Sequence, residues 1–265
     1  MIRLILIDVD GTLVGRNGVH PATWEALEQA RQRGVHLGLC TGRPGCGRAL
    51  AHARRVAPAG LHIFHGGAVV SLPGQPAAYC SMLPRDAFHA LVAVSRREGQ
   101  PLEAYTERGY FLEWETALIR VHARHLEMEP EVCDLLEIAT PVVRAQWVVD
   151  EQDWPHFRAL TALAGEIEIQ PATAPWSPGT VFANLTRVGA SKSSALRWLA
   201  GHYGLEVSEV AMIGDAENDL DAMEAAGLGI AMGNASAAVK ERARLVVGDV
   251  DAGGLAEAIG RALAW

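Results

Sequence analysis

Short apolar runs alternate with amphipathic segments over the first part of the chain. Residues 2–8 predict a buried strand, 21–33 an amphipathic helix closed by a glycine, and 35–40 a second buried strand. A third strand is predicted at 61–64, after a helix over 45–56. Continuously apolar strands that are separated by helices are typical of a parallel sheet covered on both faces.

The same alternation returns in the last third of the chain. The predicted elements there are strands at 209–214, 228–232 and 244–248 and helices at 191–203, 217–226, 236–242 and from 254 onward. Because both ends of the chain show this pattern, we predict that they combine into one Rossmann-like parallel-sheet core.

The pattern changes between about residues 79 and 186. Segments here mix polar and apolar positions, as expected for a sheet with one face toward water, and the predicted helices are 85–98, 116–126 and 154–164. Turn-forming residues lie at both boundaries of this segment: Pro73, Gly74 and Pro76 precede it, and Gly189 follows it. We therefore predict an α/β protein whose catalytic core, residues 1–79 and 187–265, is interrupted by an inserted α+β cap over 80–186.

Composition narrows the class of protein. With 265 residues and 49% hydrophobic content, the chain can bury a substantial core. A net charge of -8 argues against a sequence-independent nucleic-acid binder and against binding to an anionic membrane. The four cysteines lack zinc-ligand spacing, and no signal-peptide pattern or membrane-length apolar run is present. We therefore expect a cytoplasmic protein with a small-molecule partner; the oligomeric state stays open.

Two aspartates end the first predicted strand, in the stretch "ILIDVDGTLV". Ligands of open parallel sheets bind outside the carboxyl ends of the strands, where Asp8 and Asp10 stand. Alternation along an extended chain aims both side chains in broadly the same direction. Two nearby carboxylates repel each other unless a cation joins them or one is protonated. By themselves they are equally compatible with two solvated acids at a strand end.

Polar residues follow two further strands. Thr41 in "CTGRP" comes directly after the second strand, and Asp215 in "IGDAEND" follows a late strand. Asn218 and Asp219 then stand in the first turn of the next helix. The carboxyl ends of parallel strands share one edge, so these side chains are expected to converge.

Acidic residues crowd the segment 215–221, which contains Asp215, Glu217, Asp219 and Asp221. Repulsion among so many like charges destabilises a fold, even where a helix amino terminus offsets part of it. Stability therefore does not explain why these residues are present. A bound cation would remove the conflict, and oxygen ligands suit Mg²⁺. Lys192, at the start of a helix in "GASKSS", could add a positive charge for a phosphoryl group.

The ordered set "DVDGT", "TGR", a lysine before a helix and "GDAEND" resembles the four motifs of the haloacid dehalogenase superfamily of phosphatases. The inserted module and residues 212–243 resemble its Cof-type branch, which carries a large α/β cap. The resemblance implies a Mg²⁺-dependent phosphatase.

The resemblance also implies chemical roles. Asp8 would attack phosphorus and form an aspartyl-phosphate, and Asp10 would act as the general acid and base. Thr41 and Lys192 would bind the transferring phosphoryl oxygens, where positioning and charge stabilisation supply most of the catalysis.

The resemblance implies ligands as well. Mg²⁺ would bind Asp8, the backbone carbonyl of Asp10 and Asp215, while Asn218 and Asp219 would orient these ligands. Gly42, Arg43 and Gly67 would bind substrate.

One position departs from the branch's pattern. In "HGGAVV" Gly66 stands where many relatives carry asparagine, so a side-chain contact is lost unless His65 replaces it.

The substrate implied by the resemblance is a small phosphorylated metabolite, with sugar phosphates the leading class. A phosphomutase would use the same nucleophile and acid but return the phosphoryl group to substrate. A non-catalytic protein that binds a phosphorylated ligand is a further alternative, although mere binding does not need Asp10.

Overall fold

The structure, a computed structural model, describes residues 1–162, 166–174 and 177–265. The chain divides into two compact units. The first unit contains Met1–Arg43, Ala49–Ala78 and Ser191–Trp265, and the second contains Pro44–Arg48 and Tyr79–Ala190.

The strands follow the predicted alternation closely at both ends of the chain. In chain order they are β1 (Leu4–Ile7), β2 (His36–Leu39), β3 (His62–Phe64), β4 (Val69–Ser71), β5 (Ala77–Cys80), β6 (Leu102–Tyr105), β7 (Tyr110–Leu112), β8 (Glu131–Val132), β9 (Arg144–Asp150), β10 (Ile167–Ala174), β11 (Ser177–Arg187), β12 (Val210–Gly214), β13 (Leu228–Ala231) and β14 (Leu245–Val246).

The helices also match the predicted positions to within a few residues. They are α1 (Pro21–Gln32), α2 (Gly47–Val56), α3 (Arg85–Glu98), α4 (Ala117–Leu126), α5 (Trp154–Ala162), α6 (Lys192–His202), α7 (Leu220–Ala225), α8 (Ala237–Arg242) and α9 (Gly254–Leu263). The last two positions of the helix predicted over 154–164 lie outside the described residues. Within the described part of the chain, no helix has the length and apolar character needed to cross a membrane.

A five-stranded sheet forms the centre of the first unit, in the order β14-β13-β12-β1-β2. Its paired strands are all parallel. Strand β1 lies between β12 and β2, and its residues are fully buried, as the apolar run LILI predicted. The predicted α/β class with a parallel-sheet core is therefore confirmed.

The third predicted strand does not extend this sheet. Strand β3 pairs antiparallel with β4 in a separate three-stranded sheet, and one parallel bridge joins Ile63 to Cys40 at the end of β2. An apolar run of three or four residues predicts a strand but cannot specify its partner.

The second unit is built on a six-stranded sheet in the order β10-β11-β9-β6-β7-β8. Its pairings are antiparallel except for the parallel pair β7–β8. One face carries an apolar cluster to which α3, α5 and the sheet contribute Leu91, Phe157 and Trp147 respectively. The second unit is therefore an α+β structure, and its strands have the mixed polarity that the sequence predicted.

The other face of this sheet differs from the wet face that the sequence predicted. Helix α4 packs there, and Glu103 lies fully buried among polar partners. Its carboxylate accepts hydrogen bonds from Tyr105 Oη at 2.9 Å and Gln146 Nε2 at 3.1 Å, and lies 2.9 Å from His122 Nδ1. Strand polarity predicted solvent here because polar residues that satisfy one another across strands look the same in sequence as solvated ones.

A buried hydrogen bond between Trp147 and Thr161 contributes to the stability of the second unit. Trp147 Nε1 donates to Thr161 Oγ1 at 2.9 Å, and both residues are buried. Thr161→Val would leave the indole N–H without this acceptor, so we expect the free energy of unfolding to fall by about 1–3 kcal/mol. Urea unfolding followed by tryptophan fluorescence measures the change. Thr161→Ser keeps the hydroxyl and serves as the control; equal losses in both variants would contradict the role of the hydrogen bond.

Candidate active site

A buried ion triad lies at the carboxyl end of β1. Lys192 Nζ is 2.7 Å from Asp8 Oδ1 and 2.6 Å from Asp219 Oδ1. Lys192 begins α6, whose amino terminus is capped by Ser191, because Ser191 Oγ accepts from the Ser194 amide at 3.1 Å. Three residues that are far apart in sequence thus share one charged contact.

Burial and charge act against each other in this triad. Burial raises the pKa of Asp8 above its ordinary value, and the positive charge of Lys192 opposes that shift. Burial alone would lower the pKa of Lys192, but the charges of Asp219 and Asp8 outweigh it and raise that pKa. Lys192 is therefore held in its charged form.

Asp219 is engaged at both of its oxygens. Oδ1 accepts from Lys192, and Oδ2 accepts from the backbone amides of Asp215 and Ala216, each at 3.1 Å. The side chain is fully buried. Asp219 therefore holds both the ammonium and the turn that carries Asp215, whereas its neighbour Asn218 is exposed on the same turn.

Asp215 follows β12 and is held by two side chains that the sequence reasoning did not assign to the site. Its Oδ1 accepts from Thr12 Oγ1 at 3.0 Å, and its Oδ2 accepts from Asn234 Nδ2 at 3.2 Å. Burial raises the pKa of Asp215 to about 6, and the charge of Asp219 adds to this shift. The site thus contains a carboxylate whose charge is poorly compensated by the protein alone.

The segment that follows β13 could have revealed Asn234. It stands three residues after that strand, at the same sheet edge as Asp215. The criterion that selected Asp215, a polar residue just after a buried strand, therefore applied to Asn234 too. Thr12 lies in the turn that follows Asp10, where this criterion does not select it.

The carboxylates together fit a divalent cation. One oxygen from each of Asp8, Asp215 and Asp219 lies within 4.8 Å of the others. These three carboxylates and the single ammonium of Lys192 leave two excess negative charges in a buried site. An oxygen-rich donor set with this charge suits Mg²⁺.

Asp10 is engaged by a cation instead of standing free beside Asp8. Arg43 Nε and Nη2 each lie 2.6 Å from an Asp10 carboxylate oxygen, which makes a bidentate ion pair. The side chain of Asp10 is 57% exposed and that of Arg43 only 10%. Sequence reasoning assigned both residues to the site but did not predict this pair.

Thr41 lies in the loop that follows β2. It is buried, and its Oγ1 accepts from the Arg43 amide at 3.1 Å, across half-buried Gly42. The adjoining loop supports this segment, because the His65 amide donates to Arg43 O at 2.9 Å and the Gly66 amide to Thr41 O at 3.0 Å. The backbone of "HGG" thus shapes the loop that carries Thr41 and Arg43.

Gly67 lies against the start of α6. A Cβ at this position would come within 2.0 Å of the Ser191 carbonyl oxygen, and its φ of +108° disfavours other residues. The predicted substrate-binding glycine therefore has a packing role, which is to let the loop approach the turn that precedes Lys192.

The chain matches the family described as haloacid dehalogenase-like hydrolase over residues 5–259. The chain belongs to this family. The Bacillus subtilis protein YxeH is 30% identical over 98% of this chain and 97% of its own length. The family resemblance of the four motifs is therefore confirmed.

Named phosphatases are among the similar proteins. The chain is 27% identical to 5-amino-6-(5-phospho-D-ribitylamino)uracil phosphatase YitU of Bacillus subtilis, over 90% of this chain and 89% of that one. A solved phosphatase of the HAD enzyme superfamily from Bacteroides thetaiotaomicron superposes with a TM-score of 0.84 and 26% identity, covering 100% of this chain and 96% of that chain. This chain is therefore a phosphatase of this family.

Gly11 tests how closely the turn after β1 approaches Asp215. Its φ is +81°, and a Cβ would lie 2.1 Å from Asp215 Oδ2. Gly11→Ala should displace this carboxylate and lower phosphate release from p-nitrophenyl phosphate about a hundredfold, since misplacement of a catalytic group by about 1 Å has that effect. Gly18→Ala is the matched control, because Gly18 has a φ of +88° but open space around it. A similar loss in both variants would attribute the effect to backbone strain alone.

Proposed function

We propose that the chain is a Mg²⁺-dependent phosphatase that hydrolyses a small phosphorylated metabolite, with sugar phosphates as the leading class, through an aspartyl-phosphate on Asp8. The observation that carries this proposal is the buried Asp8–Lys192–Asp219 triad beside Asp215. A carboxylate nucleophile and a fixed ammonium meet there at a sheet edge that is suited to ligand binding.

Asp8 is proposed as the nucleophile. Its carboxylate oxygen would form the bond to phosphorus while the bond from phosphorus to the leaving oxygen breaks. Lys192, which is held in its charged form by two carboxylates, would neutralise the phosphoryl oxygens, and Thr41 would donate a hydrogen bond to them. Water would then hydrolyse the aspartyl-phosphate and release phosphate.

Asp10 is proposed as the general acid and base. It would protonate the leaving oxygen in the first step and accept a proton from the hydrolytic water in the second. Arg43 donates to both carboxylate oxygens of Asp10 and so occupies the atoms that would carry and transfer the proton. The acid role therefore requires Arg43 to transfer its hydrogen bonds from Asp10 to the anionic substrate, which fits its proposed role in substrate binding together with Gly42 and Gly67.

The donor set supports a Mg²⁺ site formed by Asp8, the backbone carbonyl of Asp10 and Asp215. Mg²⁺ would supply charge neutralisation and orientation for the phosphoryl oxygens. Asn218 and Asp219 would orient the ligands; the amide hydrogen bonds that Asp219 accepts from residues 215 and 216 support this for Asp219.

The substrate class rests on the relatives. YitU is named for an ester that carries a phosphorylated ribityl chain, which is a small polyhydroxylated phosphate. We propose that residues 80–186 act as a cap that determines which phosphate ester is accepted. The catalytic and metal-binding residues proposed above all belong to the first unit, which leaves the second unit for selectivity.

Asp8→Asn tests the nucleophile. The amide cannot attack phosphorus, so we expect phosphate release to fall about a thousandfold or more, as when other catalytic nucleophiles are removed. Acid quenching of the wild-type enzyme during turnover, followed by peptide mass spectrometry, should locate one phosphoryl group on Asp8. Asp86→Asn, at an exposed acid in the first turn of α3, is the control and should keep full activity. Near-wild-type turnover by Asp8→Asn would refute the covalent mechanism.

A hydrolysis panel tests the metal and the substrate class together. Sugar phosphates, nucleotides, cofactor phosphates and p-nitrophenyl phosphate are compared by phosphate release, with Mg²⁺ and with excess chelator. We expect the highest kcat/KM for a sugar phosphate and loss of activity in chelator, because the excess negative charge would then oppose the anionic substrate. Undiminished rates in chelator would refute the metal dependence, and a preference for nucleotides would refute the substrate class.

A further inference from the structure

The side chain of Asn234 joins three separate segments of the first unit. Its Nδ2 donates to Gly11 O at 2.8 Å and to Asp215 Oδ2 at 3.2 Å. Its Oδ1 accepts from the Val250 amide at 3.0 Å. An exposed asparagine with all of these contacts is fixed in orientation, although it is not held by burial.

These contacts fix Asp215 relative to the turn after β1. Thr12 holds Oδ1 of this carboxylate and Asn234 holds Oδ2, so neither oxygen can rotate without losing a hydrogen bond. A carboxylate oxygen has about two acceptor positions. Each oxygen therefore keeps one position for a cation while its direction is set by the protein.

Close packing leaves little space between the turn at Gly11 and the carboxylate of Asp215. The turn at Gly11 approaches Asp215 so closely that even a methyl group would overlap with Oδ2. Asn234 donates to the carbonyl of that same glycine and to that same oxygen. It therefore sets the spacing between the turn that carries Asp10 and the carboxylate of Asp215.

The far end of Asn234 is anchored as well. The turn at Val250–Ala252 contacts the hairpin near Arg16, where Asp251 Oδ2 accepts from Arg16 Nε at 3.1 Å and Oδ1 accepts from the Asn17 amide at 3.4 Å. The Val250 amide contacts only the oxygen end of the Asn234 amide group, whereas both contacts that hold Asp215 and the turn at Gly11 come from Nδ2. Among side chains of this length, only an amide both accepts from Val250 and donates to Asp215, whereas aspartate would only accept.

We propose that Asn234 is a positioning residue that pre-orients Asp215 for a divalent cation. This inference rests on the proposed function, because it needs Asp215 to be a metal ligand. Hydrogen-bond partners of metal-binding side chains typically contribute 10–100-fold to metal affinity. Asn234→Ala should therefore weaken Mg²⁺ binding by about that factor.

Calorimetric titration of Mg²⁺ into the chelator-treated full chain, without substrate, tests the proposal. Val250→Pro is the matched control, because it removes the amide that bonds Asn234 Oδ1 but leaves both contacts from Nδ2. Position 250 begins a short 3₁₀ turn after an extended residue, where proline is tolerated. We expect Asn234→Ala to bind Mg²⁺ about 10-fold or more weakly, and Val250→Pro to bind nearly as tightly as wild type.

Activity against Mg²⁺ concentration gives a second measurement. In Asn234→Ala the Mg²⁺ concentration for half-maximal activity should rise, while excess Mg²⁺ should restore wild-type KM for p-nitrophenyl phosphate. Unchanged Mg²⁺ affinity in this variant, or an equal loss in a folded Val250→Pro, would overturn the positioning role. Absence of Mg²⁺ binding by the wild-type chain would instead overturn the metal dependence itself, and this inference with it.

Discussion

The site depends on the buried ammonium of Lys192 between Asp8 and Asp219. A buried charge is costly unless opposite charges and hydrogen bonds replace the water that it loses. Both carboxylates lie within 2.7 Å of Nζ, so the cation is paired on two sides. Removing either carboxylate would leave the ammonium paired on one side only, and the triad together with Asp215 carries excess negative charge. That excess is the physical reason for expecting a divalent cation.

Parallel-sheet topology explains how residues so distant in sequence meet. Strand β1 ends at Ile7 and its neighbour β12 ends at Gly214, so Asp8 and Asp215 emerge side by side. Lys192 reaches the same edge from the start of α6. The local pattern of each strand decides where its polar residue stands, while the pairing of β1 with β12 brings these residues together.

Most of the polar contacts at this edge orient other groups. Thr12 and Asn234 hold the two oxygens of Asp215, and Asp219 holds Lys192 together with the backbone of the turn. Such contacts allow a charged site to act without reorganising during the reaction. The Arg43–Asp10 pair is different, because the proposed acid role of Asp10 requires this pair to open. The proposed mechanism thus combines a phosphoryl site whose side chains are held by hydrogen bonds with one contact that has to exchange.

The sequence alone was sufficient to predict the alternating core, the α+β character of the inserted segment and the family, because apolar periodicity and short motifs are local properties. It also selected Asp8, Lys192 and Asp215, which stand at the ends of predicted elements. Only the tertiary structure decided which side chains meet: Arg43 with Asp10, Asn234 with Asp215, and the buried partners of Glu103. A polar residue has the same letter whether it contacts water or a partner from a distant strand, so these pairings depend on three-dimensional packing that no local pattern contains.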